Sequence, residues 1–223
     1  MGPSALVDRI VTAGLLLAAL AFAWITVSQF SYVFVFDADV GALNADAENN
    51  AFSWASSVVT FTGAFVAFLL ATVLVEQRGR FLVLAGTLAL FSFDDALQLH
   101  EDAGTRVADA LGIDDSYVHG LWPLIFFPLL AFAFLLLWRV ASGLPERASN
   151  ALRIGLGLLV VGVVAEGLAS FWYASGDTAE TFGGAFEIAL EEGAELAGWV
   201  LVAAGLTAAA CRAIADAARM EAA

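Results

Sequence analysis

The sequence predicts an all-α fold: a polytopic membrane bundle of six transmembrane helices, one integral domain over residues 1–223. Three observations predict it. Of the 223 residues, 61% are hydrophobic, and mean hydropathy is +0.85; a soluble domain is nearer half apolar. Apolar runs recur at about the 20 residues that cross a bilayer. The segments between them alternate between arginine-bearing and acid-bearing, as a fixed membrane topology requires.

The first span covers 9–34. Its basic Arg9 and its Ala19, Ala21 and Ala23 could pass for a signal peptide. The apolar run continues to about Phe36, too long for a simple signal, so it reads as an uncleaved first helix. The second span is 52–75 and the third is 81–101, which ends on the string FDDALQLHE. The fourth, 119–140, holds Pro123 in its first turn, where the missing N–H is harmless. Pro128 lies deeper and predicts a kink. The fifth, 151–173, carries Gly155, Gly157 and Gly162. The sixth, 186–212, pairs Ala194 with Gly198 and Gly193 with Ala197, although its first third is rich in glutamate. Small residues at these spacings let helices approach closely in lipid. The segment GLGLLVVG follows no strand, so it is no phosphate loop.

Orientation follows from the arginines. One set of ends and connections holds Arg9, Arg78, Arg80, Arg139, Arg147, Arg153, Arg212 and Arg219; the other holds only Arg106. The positive-inside rule then places both termini in the cytoplasm of a plasma-membrane protein. Trp54, Trp122 and Trp172 fall near the outer boundary and Trp138 near the inner one, as an interfacial belt does.

Composition removes several function classes. The net charge is −14 and no lysine is present, so a retinal-type Schiff base is excluded. The acidic balance argues against nucleic acid as a partner, and suggests a salt-loving source. Cys211 is the only cysteine, so neither an intrachain disulfide nor a cysteine zinc site can form.

The chemistry-bearing feature is acid inside apolar segments. Asp94, Asp95, His100 and Glu101 close the third span, Glu166 lies late in the fifth, and Glu187, Glu191, Glu192 and Glu195 open the sixth. With a rise of about 1.5 Å per residue, Asp94, Asp95, Glu166 and Glu191 all lie about 10 Å below the outer edge. On an ideal helix Asp94, Gln98 and Glu101 share a stripe, while His100 points roughly 120° away. His119 precedes Trp122 at the mouth of the fourth span. Charge in hydrocarbon costs a few kcal/mol per residue, and like charges on one face repel. Protonation, a water-filled funnel or a bound cation can relieve the repulsion.

The sequence favours the cation. Asp94, Asp95, Glu101, Glu166, Glu191, Glu195, His100 and His119 form the candidate ligand set for a divalent metal ion, with Mg, Ca, Mn, Fe and Zn all admissible. Glu101 and Glu195 are the candidate catalytic bases. Di-iron bundles share this ligand inventory, but their Glu-x-x-His spacing is absent, which favours a single ion. The expected function is a metal-dependent site facing outward, acting on a lipid or a small hydrophobic molecule. Cation or proton transport is the first alternative, and a sensor or assembly subunit with a structural ion is the second. Membrane lipids and a small molecule or ion are the expected partners, and a homo-oligomer is compatible with the sequence. Transport predicts polar residues through the whole bilayer, whereas the inner halves of these spans offer mainly threonine, such as Thr12, Thr72 and Thr207. No Ser-His-Asp arrangement or HExxH motif occurs.

Overall fold

The computed structural model describes residues 2–47, 50–113, 118–174 and 180–221; at 101, 118–120, 170–174 and 221 it describes the backbone course only. All elements among the described residues are helical. They are α1 (Pro3–Phe34), α2 (Ala51–Val73), α3 (Arg78–Leu97), α4 (Leu99–Leu111), α5 (Val118–Ala141), α6 (Glu146–Ala174) and α7 (Phe182–Glu221). Short 3-10 turns lie at Gly41–Leu43 and Val75–Gln77. Five helices are long and apolar enough to cross a membrane, and α3 with α4 makes a sixth if that bent pair is one span. This is the helical bundle of a multi-pass membrane protein.

α7 is the central helix. Buried residues make up 72% of its apolar window, against 22% for α1 and α5. α1, α2 and α6 all pack on it, while α3 docks through α2, and α4 and α5 complete the wall. At about 1.5 Å per residue its 40 residues reach about 60 Å, about twice the hydrocarbon thickness. The glutamates from Glu187 onward do not interrupt it, because glutamate is a good helix former.

Small residues let α6 and α7 touch. A Cβ on Gly155 would lie 2.7 Å from the Gly198 carbonyl oxygen, and one on Gly162 3.3 Å from that of Glu191. Gly157 does not share this role, since a Cβ there meets nothing within 4 Å. It lies on a different side of α6 from Gly155, two residues and about 200° away.

The third span is corrected most. α3 stops at Leu97, and Gln98 adopts the left-handed backbone region at φ 55°. The chain then restarts as α4, bent by 68° from the line of α3. Much of the segment expected to link the third and fourth spans is therefore helix, to Leu111. The connection between the fourth and fifth spans also shrinks, because α6 begins at Glu146. α5 runs unbroken past Pro123 and Pro128.

The α2 start is built from a capping box. Asn50 accepts from the N–H groups of Phe52 at 2.7 Å and Ser53 at 3.1 Å, and Ser53 Oγ accepts from Asn50 N at 3.2 Å. Asn50 Nδ2 also donates to the Asn44 carbonyl at 2.8 Å, fixing the preceding loop. This box sets the register that brings Ser56 and Ser57 to the candidate site.

The main core occupies the end of the bundle where α2 ends and α3 begins. Leu84, Leu88, Leu152 and Leu206 are wholly buried there, packed with Phe81, Leu70 and Leu137. Eight of the nine arginines lie toward that end, Arg106 on α4 being the exception. Two arginine–carboxylate pairs among the described residues, Arg147–Asp8 at 3.1 Å and Arg212–Asp216 at 2.7 Å, join them there. Arg153 lies over the Trp138 ring at 5.1 Å.

Candidate functional site

At the opposite end, seven helix ends surround a polar layer: the ends of α1, α3 and α6 and the starts of α2, α4, α5 and α7. Asp94, Asp95, Glu166 and Glu195 are each held by a particular donor. Polar groups in an apolar setting must be paired, and this need shapes the layer.

α2 and α3 are joined by reciprocal serine bonds. Ser92 Oγ donates to the Ser57 carbonyl at 2.9 Å. Ser57 Oγ shares its proton between the Ser92 carbonyl at 3.2 Å and Asp95 Oδ2 at 2.8 Å. At the adjacent residue, Ser56 Oγ donates to Glu195 Oε1 at 3.4 Å and also lies within hydrogen-bonding reach of Asp95. Trp199, at i+4 on α7, donates its Nε1 proton to the same Glu195 oxygen at 3.1 Å. Asp95 of α3 and Glu195 of α7 thus face each other across one α2 hydroxyl, each within electrostatic reach of the other.

The other half of the layer is built around His100. Its Nδ1 donates to Asp94 Oδ2 at 2.9 Å, and its ring lies 4.5 Å from that of Trp122. Trp122 Nε1 donates to Glu166 Oε1. His100 is within electrostatic reach of Glu166 and Glu195 as well. Glu191 feels the charges of Glu166, Glu187 and Glu192, and its carboxyl is hydrogen-bonded to that of Glu187. The layer continues to the α1–α2 loop, where buried Gln29 Oε1 accepts from Ala45 N at 2.8 Å.

Two expectations are corrected here. An unbroken helix directs His100 away from Asp94; the break at Gln98 swings it back to bond that residue, and dissolves the expected Asp94–Gln98–Glu101 stripe. Trp122 is not a belt residue, for it is 8% exposed and bonded to Glu166. Trp54 and Trp138 remain exposed, at 68% and 46%. The side chains of Glu101, His119 and Trp172 lie outside the described residues.

The ligand set resolves into linked pairs. Among the described residues no three histidine, cysteine, aspartate or glutamate side chains come together closely enough to hold one metal ion. Asp94 meets His100, Asp95 meets Glu195 through Ser56, and Glu191 meets Glu187. The residues that sequence reasoning missed are the donors: Ser56, Ser57, Ser92, Trp122 and Trp199. Trp199 could have been found from its i+4 spacing to Glu195. The serines carry no such signal, because hydroxyls inside membrane helices more often bond their own backbone, as Thr60 and Thr87 do here.

The chain matches, over residues 9–209, a family described as a domain of unknown function (DUF8692), and it belongs to that family. No protein of curated function and no solved structure matches it.

Proposed function

We propose that this protein is a membrane-embedded cation-binding protein, that the cation is a divalent metal ion, and that Asp95 and Glu195 are its central ligands. The observation that carries this reading is the Asp95–Ser56–Glu195 bridge. Two carboxyl groups from different helices approach one hydroxyl, and the arginine–carboxylate pairs of the described residues lie at the other end of the bundle. A cation between them offsets repulsion that a low-dielectric setting magnifies. A pair can suffice, because an ion such as Mg²⁺ keeps several waters and takes one or two protein carboxylates. Oxygen donors favour Mg, Ca or Mn, and His100 beside Asp94 extends the range to Fe and Zn. Trp199, Ser56 and Ser57 orient the two carboxylates, as outer partners do for metal ligands.

Such an ion can polarise a substrate oxygen or activate water while a nearby carboxylate takes the proton. The membrane setting makes a lipid or a small hydrophobic molecule the substrate class, and the arginine bias turns the site outward. Transport is the weaker reading. A conduit needs polar groups through both halves, and Leu84, Leu88, Leu152 and Leu206 fill the other half.

The test is metal retention. Protein purified in detergent is equilibrated with each ion in turn and its bound metal measured after gel filtration. Wild type is expected to keep a stoichiometric ion, with Asp95→Asn and Glu195→Gln each weakening binding by more than about tenfold. An ion-free wild type, or retention equal in all three proteins, overturns the proposal.

A further inference from the structure

A groove of 220 Å³ opens on the outer wall of the bundle between α6 and α7, at the level of the polar layer. Val160, Val164 and Leu168 of α6 form one wall, with Phe186 and Leu190 of α7 opposite. Val164 and Phe186 are about half exposed, so the groove is open sideways. The α6 wall covers residues 160–168, about 12 Å at the helical rise. One polar side chain lines this apolar surface: Glu187.

Glu187 is out of place by ordinary rules. It is 2% exposed, and no N–H or O–H donor of the described side chains or backbone reaches its Oε1. Its polar neighbours are themselves acids, the hydrogen-bonded Glu191 carboxyl and the more distant Asp46. The Oε1 atom, unlike the side of the carboxyl that meets Glu191, lacks a donor, and an anion beside it is repelled. The groove is an apolar channel open to lipid with Glu187 in its lining, so a ligand seated there lies against this side chain.

We propose that this groove seats the apolar chain of a single-chain membrane amphiphile whose head group donates a hydrogen bond to Glu187 and carries no negative charge. The apolar walls take the chain, because an open groove in a membrane is reached from the lipid side. Glu187 selects the head. Hydroxyl and amine heads meet its demand for a donor, whereas a carboxylate or phosphate head faces three acids. From Glu187 the hydrogen bond to Glu191 leads to the charge of Glu166 and so into the polar layer. This deepens the cation-binding reading by naming the substrate class, and it rests on that reading for the chemistry beyond Glu187; the seat itself is tested separately.

The test uses three photoreactive amphiphiles with one shared long alkyl chain and an alcohol, amine or carboxylate head. Each is added to the full chain in nanodiscs of neutral lipid, and the crosslinked residues are mapped by mass spectrometry. The alcohol and amine probes are expected to label the groove walls, with the carboxylate probe weaker by about tenfold, which is about 1.4 kcal/mol. Glu187→Leu keeps the bulk but removes the acceptor, so the three probes should label alike. Val164→Trp fills the groove and should remove labelling of Phe186 and Leu190, while Leu135→Trp, on the exposed face of α5, should not. Equal labelling by all three probes in wild type overturns the proposal, and so does labelling spread over the whole apolar surface or unaffected by Val164→Trp. Bound metal is measured on the same samples. Head-selective labelling without metal sinks the cation reading alone; metal binding without head selectivity sinks this inference alone.

Discussion

The two ends of this bundle solve the problem of joining helices in lipid by different means. At the arginine end the contacts are apolar and dense, and Leu84, Leu88, Leu152 and Leu206 have no exposed surface. The charged pairs there sit on the rim: Arg147 and Asp8 have side chains 62% and 48% exposed, and exposed pairs contribute little. At the acid end the apolar clusters are smaller, with Ile25, Phe52, Ile188 and Leu196 in the largest of them. Side-chain hydrogen bonds link α2 to α3, α2 to α7, and α5 to α6 there. The comparison teaches a division of labour. The dry end supplies close packing, which drives helix association where water is absent. The polar end links its helices through single side-chain hydrogen bonds, several of them to acids.

Removing packing at the dry end should give the largest effect. Leu152→Ala deletes a wholly buried side chain between α6 and α7. A loss of about 2–5 kcal/mol is expected, as for other buried leucines. Thermal unfolding in detergent reads it, alongside metal retention per folded molecule, which should not change. An unchanged melting temperature would mean that the dry end is not where stability resides.

Much of this division was legible in the sequence. The helical class followed from apolar run length alone, because a spanning segment must satisfy its own backbone hydrogen bonds. The segregation of arginine from acid followed from counting charges between runs. The level of Asp94, Asp95, Glu166 and Glu191 followed from helical rise, and the structure sets all four at one end. Pairing was not legible. Ideal helical geometry sent His100 away from Asp94, since nothing in FDDALQLHE announces a left-handed Gln98; a non-glycine residue in that conformation costs about 1–2 kcal/mol and is held by its surroundings. Trp122 looked interfacial because tryptophan is commonest there. Only the approach of α5 to α6 reveals that its N–H meets Glu166. Gly157 looked equivalent to Gly155, and direction around the helix separates them.

A middle-sized effect is expected from a single donor at the polar end. Trp199→Phe keeps an aromatic ring against Phe91, which lies 5.8 Å away, and removes the proton given to Glu195. A hydrogen bond to a charged group contributes about 1.5–3 kcal/mol, so the fall in stability should be smaller than for Leu152→Ala. Metal retention should respond the other way and weaken by about 10–100-fold, the usual effect of losing a partner that orients a ligand. Stability loss with unchanged metal binding would erase the functional difference between the two ends.

The smallest expected effect tests whether close approach, rather than glycine content, organises α6 against α7. Gly155 and Gly157 are two residues apart on one helix, and both become alanine. At Gly155 the new methyl group lands 2.7 Å from the Gly198 carbonyl oxygen, a backbone atom that cannot swing aside. The helices must separate, at a cost of about 1–3 kcal/mol. At Gly157 nothing lies within 4 Å, so the methyl group enters open space. Alanine there gains up to about 1 kcal/mol of helix propensity. The two substitutions should therefore move the melting temperature in opposite directions, with Gly157→Ala raising it slightly and leaving metal retention untouched. A fall at Gly157 equal to that at Gly155 would show that something packs against Gly157, a contact not found among the described residues.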